Sequence, residues 1–166
     1  MLDLFNKKLR LEDIDDRFYT KNDINGNAVY FLDKEFKEPF TGEIFVTFNG
    51  VLESEAQYKN GYKNGIENIY NSNGILEQTN ENRGNVIFGV SKEFNEEGDV
   101  VISSIVYNND YIRSVENSDG EVVETQSYTG KYGENLPEYL QNLLRLSKED
   151  LFNYEFKSEN PYLNIN

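Results

Sequence analysis

Glycine recurs along this chain at a fixed interval. Gly26, Gly50, Gly74 and Gly98 are each 24 residues apart, and Gly120 follows after 22. A shorter series, Gly42, Gly65 and Gly89, runs beside it with spacings of 23 and 24. Self-similarity at a period of roughly 20–50 residues belongs to chains built from stacked supersecondary units, so the period constrains the fold more than any local propensity.

The residues around the glycines say which unit is repeated. Asn49-Gly50 lies between FVTF and VLESE. A two-residue hairpin turn with both residues at positive φ favours Asn followed by Gly, so strands are expected on either side. YNSNG, ending at Gly74, and FNEEG, ending at Gly98, are one residue longer and suit a type I turn closed by a glycine bulge. Gly26, Gly50, Gly74, Gly98 and Gly120 are therefore read as structural turns. Leu52, Leu76, Val100 and Val122 stand two residues after a turn glycine, and Ile66, Val90 and Ile112 stand eight before one. Tyr58, Asn82, Val106 and Tyr128 stand eight after. Even offsets share one face of a strand, so each hairpin is expected to present a single apolar face. KNGYKNG, NRGN, NND and YTGKYG link one hairpin to the next, which predicts antiparallel neighbours throughout. The fold class expected is mainly β: an antiparallel meander of hairpin repeats with a period of about 24 residues and short C-terminal capping helices.

Both ends depart from the period. Residues 1–22 carry Leu2, Phe5, Leu9 and Leu11 before an acidic run, and read as an N-terminal cap on the first hairpin or as a partner-binding arm. Residues 23–133 form the array. Residues 134–158 turn helical: Pro137 opens a stripe of Tyr139, Leu140, Leu143 and Leu144, and Ser147 with Asp150 three residues on reads as the start of a second helix. These helices cap the sheet, or their stripe offers a partner groove. Residues 159–166 are a polar tail expected to fray. The whole, 1–166, reads as one domain.

Composition excludes much chemistry. The chain contains no His and no Cys. That removes the commonest general base near neutral pH, the thiol nucleophile and the usual zinc ligands. Ser103, Ser104 and Ser127 have no base to activate them, and no phosphate-cradling glycine motif is present. Asp23, Asn25 and Asn27 resemble the start of a calcium loop, but Lys34 stands where that loop needs a bidentate Glu, so DINGN reads as a turn. No catalytic residue, metal or cofactor is assigned, and the chain is read as a non-enzyme. A net charge of −14 opposes binding to nucleic acid or anionic lipid; it fits a basic protein partner, or serves solubility alone. No apolar run reaches the about 18 residues of a membrane span and the first ten residues lack a secretory signal, so a cytoplasmic location is expected.

YKNGYKNGIENIYNSNGILEQ and PFTGEIFVTFNGVLESEAQYKNG resemble the MORN-type repeat in the variant of the bacterial YwqK-like antitoxin family. The matching residues are Tyr58, Asn60, Gly61, Gly65, Tyr70, Asn73, Gly74 and Leu76, with Pro39 to Gly42 similar to a first unit. The resemblance covers about residues 30–109 well and 110–133 loosely. It implies a β-hairpin array and an immunity or antitoxin protein that neutralises a toxin by occlusion; a general MORN-repeat scaffold is the alternative. Glu53, Glu55, Glu67, Glu77 and Glu93, all in strand segments, are the candidate residues for contact with a basic toxin.

Overall fold

A computed structural model describes residues 8–12 and 18–163. The strands are β1 (Lys8–Glu12), β2 (Tyr19–Asn22), β3 (Ala28–Phe31), β4 (Gly42–Phe48), β5 (Val51–Lys59), β6 (Tyr62–Tyr70), β7 (Leu76–Arg83), β8 (Val86–Phe94), β9 (Val100–Tyr107), β10 (Asp110–Ser118) and β11 (Glu121–Gln126). Two short helices follow, α1 (Glu138–Leu144) and α2 (Lys148–Phe152). β4 to β11 run as an antiparallel meander in chain order, and β2 pairs with β3 in a separate small sheet.

One neighbour breaks the expected antiparallel rule. β1 lies beside β4 in parallel, with Leu9 opposite Ile44 and Leu11 opposite Val46. Two parallel neighbours need a crossover rather than a tight turn, and the β2–β3 hairpin supplies it here. Leu2 and Phe5 of the expected N-terminal cap lie outside the described residues.

The turns follow side-chain chemistry. Asn49 and Gly50 both sit at positive φ (51° and 79°), as the tight hairpin requires. In the longer turns an Asn takes over the backbone's work: Asn71 Oδ1 accepts the N–H groups of Asn73 and Ile75 at 2.9 and 3.0 Å, and Asn95 Oδ1 those of Glu97 and Asp99 at 3.1 and 2.8 Å. Asp23 heads its turn in the same way, accepting from Asn25 and Asn27 at 2.8 Å each. Between hairpins, Asn85 and Asn109 occupy the left-handed region and reach back to the preceding hairpin, accepting the N–H of Lys63 at 2.6 Å and of Ile87 at 2.7 Å.

The core lies at the distal half. Phe88, Val90, Ile105, Ile112 and Val115 pack with Leu136, Tyr139, Leu140, Leu143, Leu151 and Leu163, and burying a side chain such as Leu140 contributes about 1.5–3 kcal/mol. Pro137 and Ser147 start the helices as their sequence implies, and Ser147 Oγ accepts the Asp150 N–H at 3.0 Å. The carbonyls left over at the helix ends are taken by the sheet: Lys92 donates to Phe152 O at 2.7 Å, Ser103 to Leu151 O at 2.8 Å, and Arg113 to Leu146 O at 2.8 Å.

Two expectations are corrected. The residues eight before and eight after Gly74 and Gly98 do not share a face. Val90 opposes Ile105 under the helices, whereas Val106 opposes Gly89 on the other face. A one-residue shift beside each turn, at Val46/Thr47, Ile69/Tyr70 and Glu93/Phe94, displaces the alternation within the hairpin, and both faces hold buried residues. Residues 159–163 of the tail, expected to fray, pack against the rest of the chain: Asn160 and Leu163 are buried, at 8% and 1% exposure, while 164–166 lie outside the described residues. Leu163 joins the core and the Asn160 amide finds a buried acceptor, which together offset the entropy of ordering the segment.

Candidate functional site

Two side chains fill slips in the sheet. Pairing skips a residue between Ala56 and Tyr58, and again between Asn80 and Asn82, which leaves Gln57 and Glu81 unpaired with the following strand. Gln57 Oε1 instead accepts the backbone N–H of Ile66 at 2.8 Å, and Glu81 Oε2 that of Val90 at 2.7 Å. Donors that the slip would strand are thereby satisfied. The facing strand carries Gly65 and Gly89 at these points, where a Cβ would collide with the amide or the carboxylate.

The two slips differ in what covers them. Glu81 has no exposure, and its carboxylate also accepts from Tyr139 Oη at 2.6 Å, Tyr154 Oη at 2.9 Å and Asn160 Nδ2 at 3.0 Å. α1, the segment after α2 and the tail thus converge on one carboxylate in β7. Burial pushes the Glu81 carboxyl up, and the hydrogen bonds only partly oppose it. Burial and the Glu81 charge push the Tyr139 and Tyr154 hydroxyls up as well, so both remain protonated donors. The cage is built from neutral donors around a single carboxylate.

Among the described residues Gln57 has no such cover. It lines an open groove of about 340 Å³ with Glu43, Glu55, Ile66 and Asn68, bounded by Phe156 and Ser158 of the C-terminal segment. Glu55 Oε1 accepts from Asn68 Nδ2 and from Tyr70 Oη, both at 2.8 Å. Burial, together with Glu55, pushes the Tyr70 hydroxyl up to about 12.

The five glutamates named from sequence are not brought together. Residues opposite one another in adjacent strands share a face. Glu55 opposes Asn68, and that row continues through Thr79 and Lys92 to Ser103, whose side chains meet α2, so Glu55 lies on the helix-side face. Glu67 opposes Asn80, which in turn opposes Ser91, and Glu93 opposes Gln78 and Ile102, which puts both on the opposite face. Glu67 is also only 9% exposed, paired with Lys63 and accepting from Asn82 at 3.3 Å. Glu53 and Glu77 are exposed near the starts of β5 and β7.

A second, larger cleft of about 680 Å³ lies between the β2–β3 turn and β6, lined by Lys21, Asp23, Phe31, Pro39 and Tyr62, with Ile24 fully exposed at its rim. Backbone donors of its own turn, Asn27 first, hold the Asp23 carboxyl below its usual range. Among the described residues no group of three or more Asp or Glu could hold a metal ion, and no helix is long and apolar enough to cross a membrane.

No family model matches the chain, and no curated protein matches it either.

Glu81 escaped the sequence reading, although a signal was there. Gln57 stands eight residues before Gly65, and Glu81 stands eight before Gly89. A long acceptor at that offset marks the slip and its filler.

Proposed function

We propose that this chain is a non-enzymatic protein-binding repeat protein of the MORN type, an immunity or antitoxin protein that neutralises a basic toxin by occlusion. The observation that carries this reading is the asymmetry of the helix-side face. Its distal half is closed by the chain's own C-terminal segment, while its proximal half, around Glu55 and Gln57, stays open as an acidic groove. The 24-residue glycine interval supports the repeat assignment, together with recurring turn geometry at Asn71 and Asn95 and slip geometry at Gln57 and Glu81. The net charge of −14 supports a basic partner, since such a field speeds encounter with a cation more than it adds affinity. A cytoplasmic location belongs to the same reading.

Coexpression of the chain with the product of the neighbouring gene tests the proposal. Restored growth, with both proteins recovered in one complex, is the expected result. Neither rescue nor a complex would exclude the toxin reading and leave the general scaffold.

A further inference from the structure

The chain shows on itself what settles over a slip of this kind. At Glu81 the covering residues are Tyr139, Tyr154 and Asn160, which bring hydroxyl and amide donors to the acceptor that fills the slip. Gln57 fills the matching slip 24 residues earlier, with Gly65 opposite it as Gly89 is opposite Glu81. The covering segment passes Glu81 and stops short of Gln57, so that Phe156 and Ser158 form one wall of the groove and do not fill it.

We infer that this groove receives an extended, basic, tyrosine-bearing segment of the partner protein, seated over Gln57 as the chain's own C-terminal segment is seated over Glu81. The inference rests on the protein-binding reading above and names its contact site. Ile66 and Phe156 give the groove an apolar floor and wall that suit an aromatic ring. Glu55 spends one carboxylate oxygen on Asn68 and Tyr70, and its other oxygen has no hydrogen bond among the described residues, which suits a Lys or Arg. The occupant is not a second copy of this chain's segment. That segment carries Glu155 and Glu159 against Lys157 alone, and would bring more negative charge to Glu55.

The test uses the full chain and two synthetic peptides, Lys-Tyr-Lys-Asn-Lys and Glu-Tyr-Glu-Asn-Glu, followed by amide chemical shifts. The Lys peptide is expected to give saturable shifts confined to Ile66, Asn68 and the residues around Phe156, and the Glu peptide none. Two variants are expected to weaken Lys-peptide binding at least tenfold. Glu55→Lys reverses the charge, and Ser158→Trp fills the groove from an exposed position outside the sheet and leaves every strand residue unchanged. Shifts spread over surface carboxylates, or affinity unchanged in both variants, would overturn the inference. Coexpression rescue that persists in Ser158→Trp would overturn this site while leaving the immunity reading intact, and absence of any complex with the neighbouring gene's product would do the reverse.

Discussion

Asn160 Nδ2 lies 3.0 Å from Glu81 Oε1, a bond that ties the C-terminal segment to β7 across 79 residues. With Tyr139 and Tyr154 it makes Glu81 a common anchor for α1, the segment after α2 and the residues around Asn160.

Removing that anchor strands its donors. Glu81→Ala is expected to cost about 3–5 kcal/mol, because Val90 N–H, two tyrosine hydroxyls and an amide lose a buried acceptor together. Glu81→Gln keeps one acceptor oxygen and should cost about 1–2 kcal/mol. Urea unfolding of the two variants checks the order.

The pH dependence has an unusual sign for a carboxyl. Burial raises Glu81 in the folded state, so the folded chain holds a proton that the unfolded chain has already released. Stability from this group is present below the ordinary carboxyl value and is lost as pH rises through the raised folded value. The stability of the native chain should therefore fall relative to Glu81→Gln as pH rises across that window. A difference between the two that stays constant with pH, in paired urea titrations, would refute the shift.

Glycines in the two series should not respond alike. At Gly89 (φ 124°) a methyl group collides with the Glu81 carboxylate, whereas at Gly98 (φ 88°) it meets nothing within 4 Å. Gly98→Ala is expected to cost about 1 kcal/mol for its backbone alone, and Gly89→Ala about 2–4 kcal/mol for backbone and collision together. Equal losses in thermal unfolding would contradict the close approach.

The docked tail is tested by Leu163→Ala. Leu163 is 1% exposed in the core, and truncating it should cost about 2–5 kcal/mol. A change of under about 0.5 kcal/mol, the usual effect at a surface position, would show that the tail does not dock.

What could be read from sequence was local. Asn49-Gly50, Ser147 and the stripe of Tyr139, Leu140 and Leu143 each carry their instruction within a few residues, and each behaves as its chemistry implies. The parallel seat of β1 depends on a strand pairing across the β2–β3 crossover, which no turn signal encodes. Glu67 looked like any other acidic strand residue. Its burial beside Lys63 and Asn82, on the face opposite Glu55, depends on how β6 pairs with β5 and β7, which no residue near Glu67 encodes. Asn160 and Leu163 sit in a polar tail whose role depends on a carboxylate far away in sequence.

Neutralisation of a basic protein by this acidic chain, as proposed above, requires that the two bind. The most direct measurement is the association of the purified chain with the neighbouring gene's product at about 0.05 M and about 0.5 M salt. A saturable complex whose association slows about tenfold or more at the higher salt is the predicted result. No complex at either salt would contradict it.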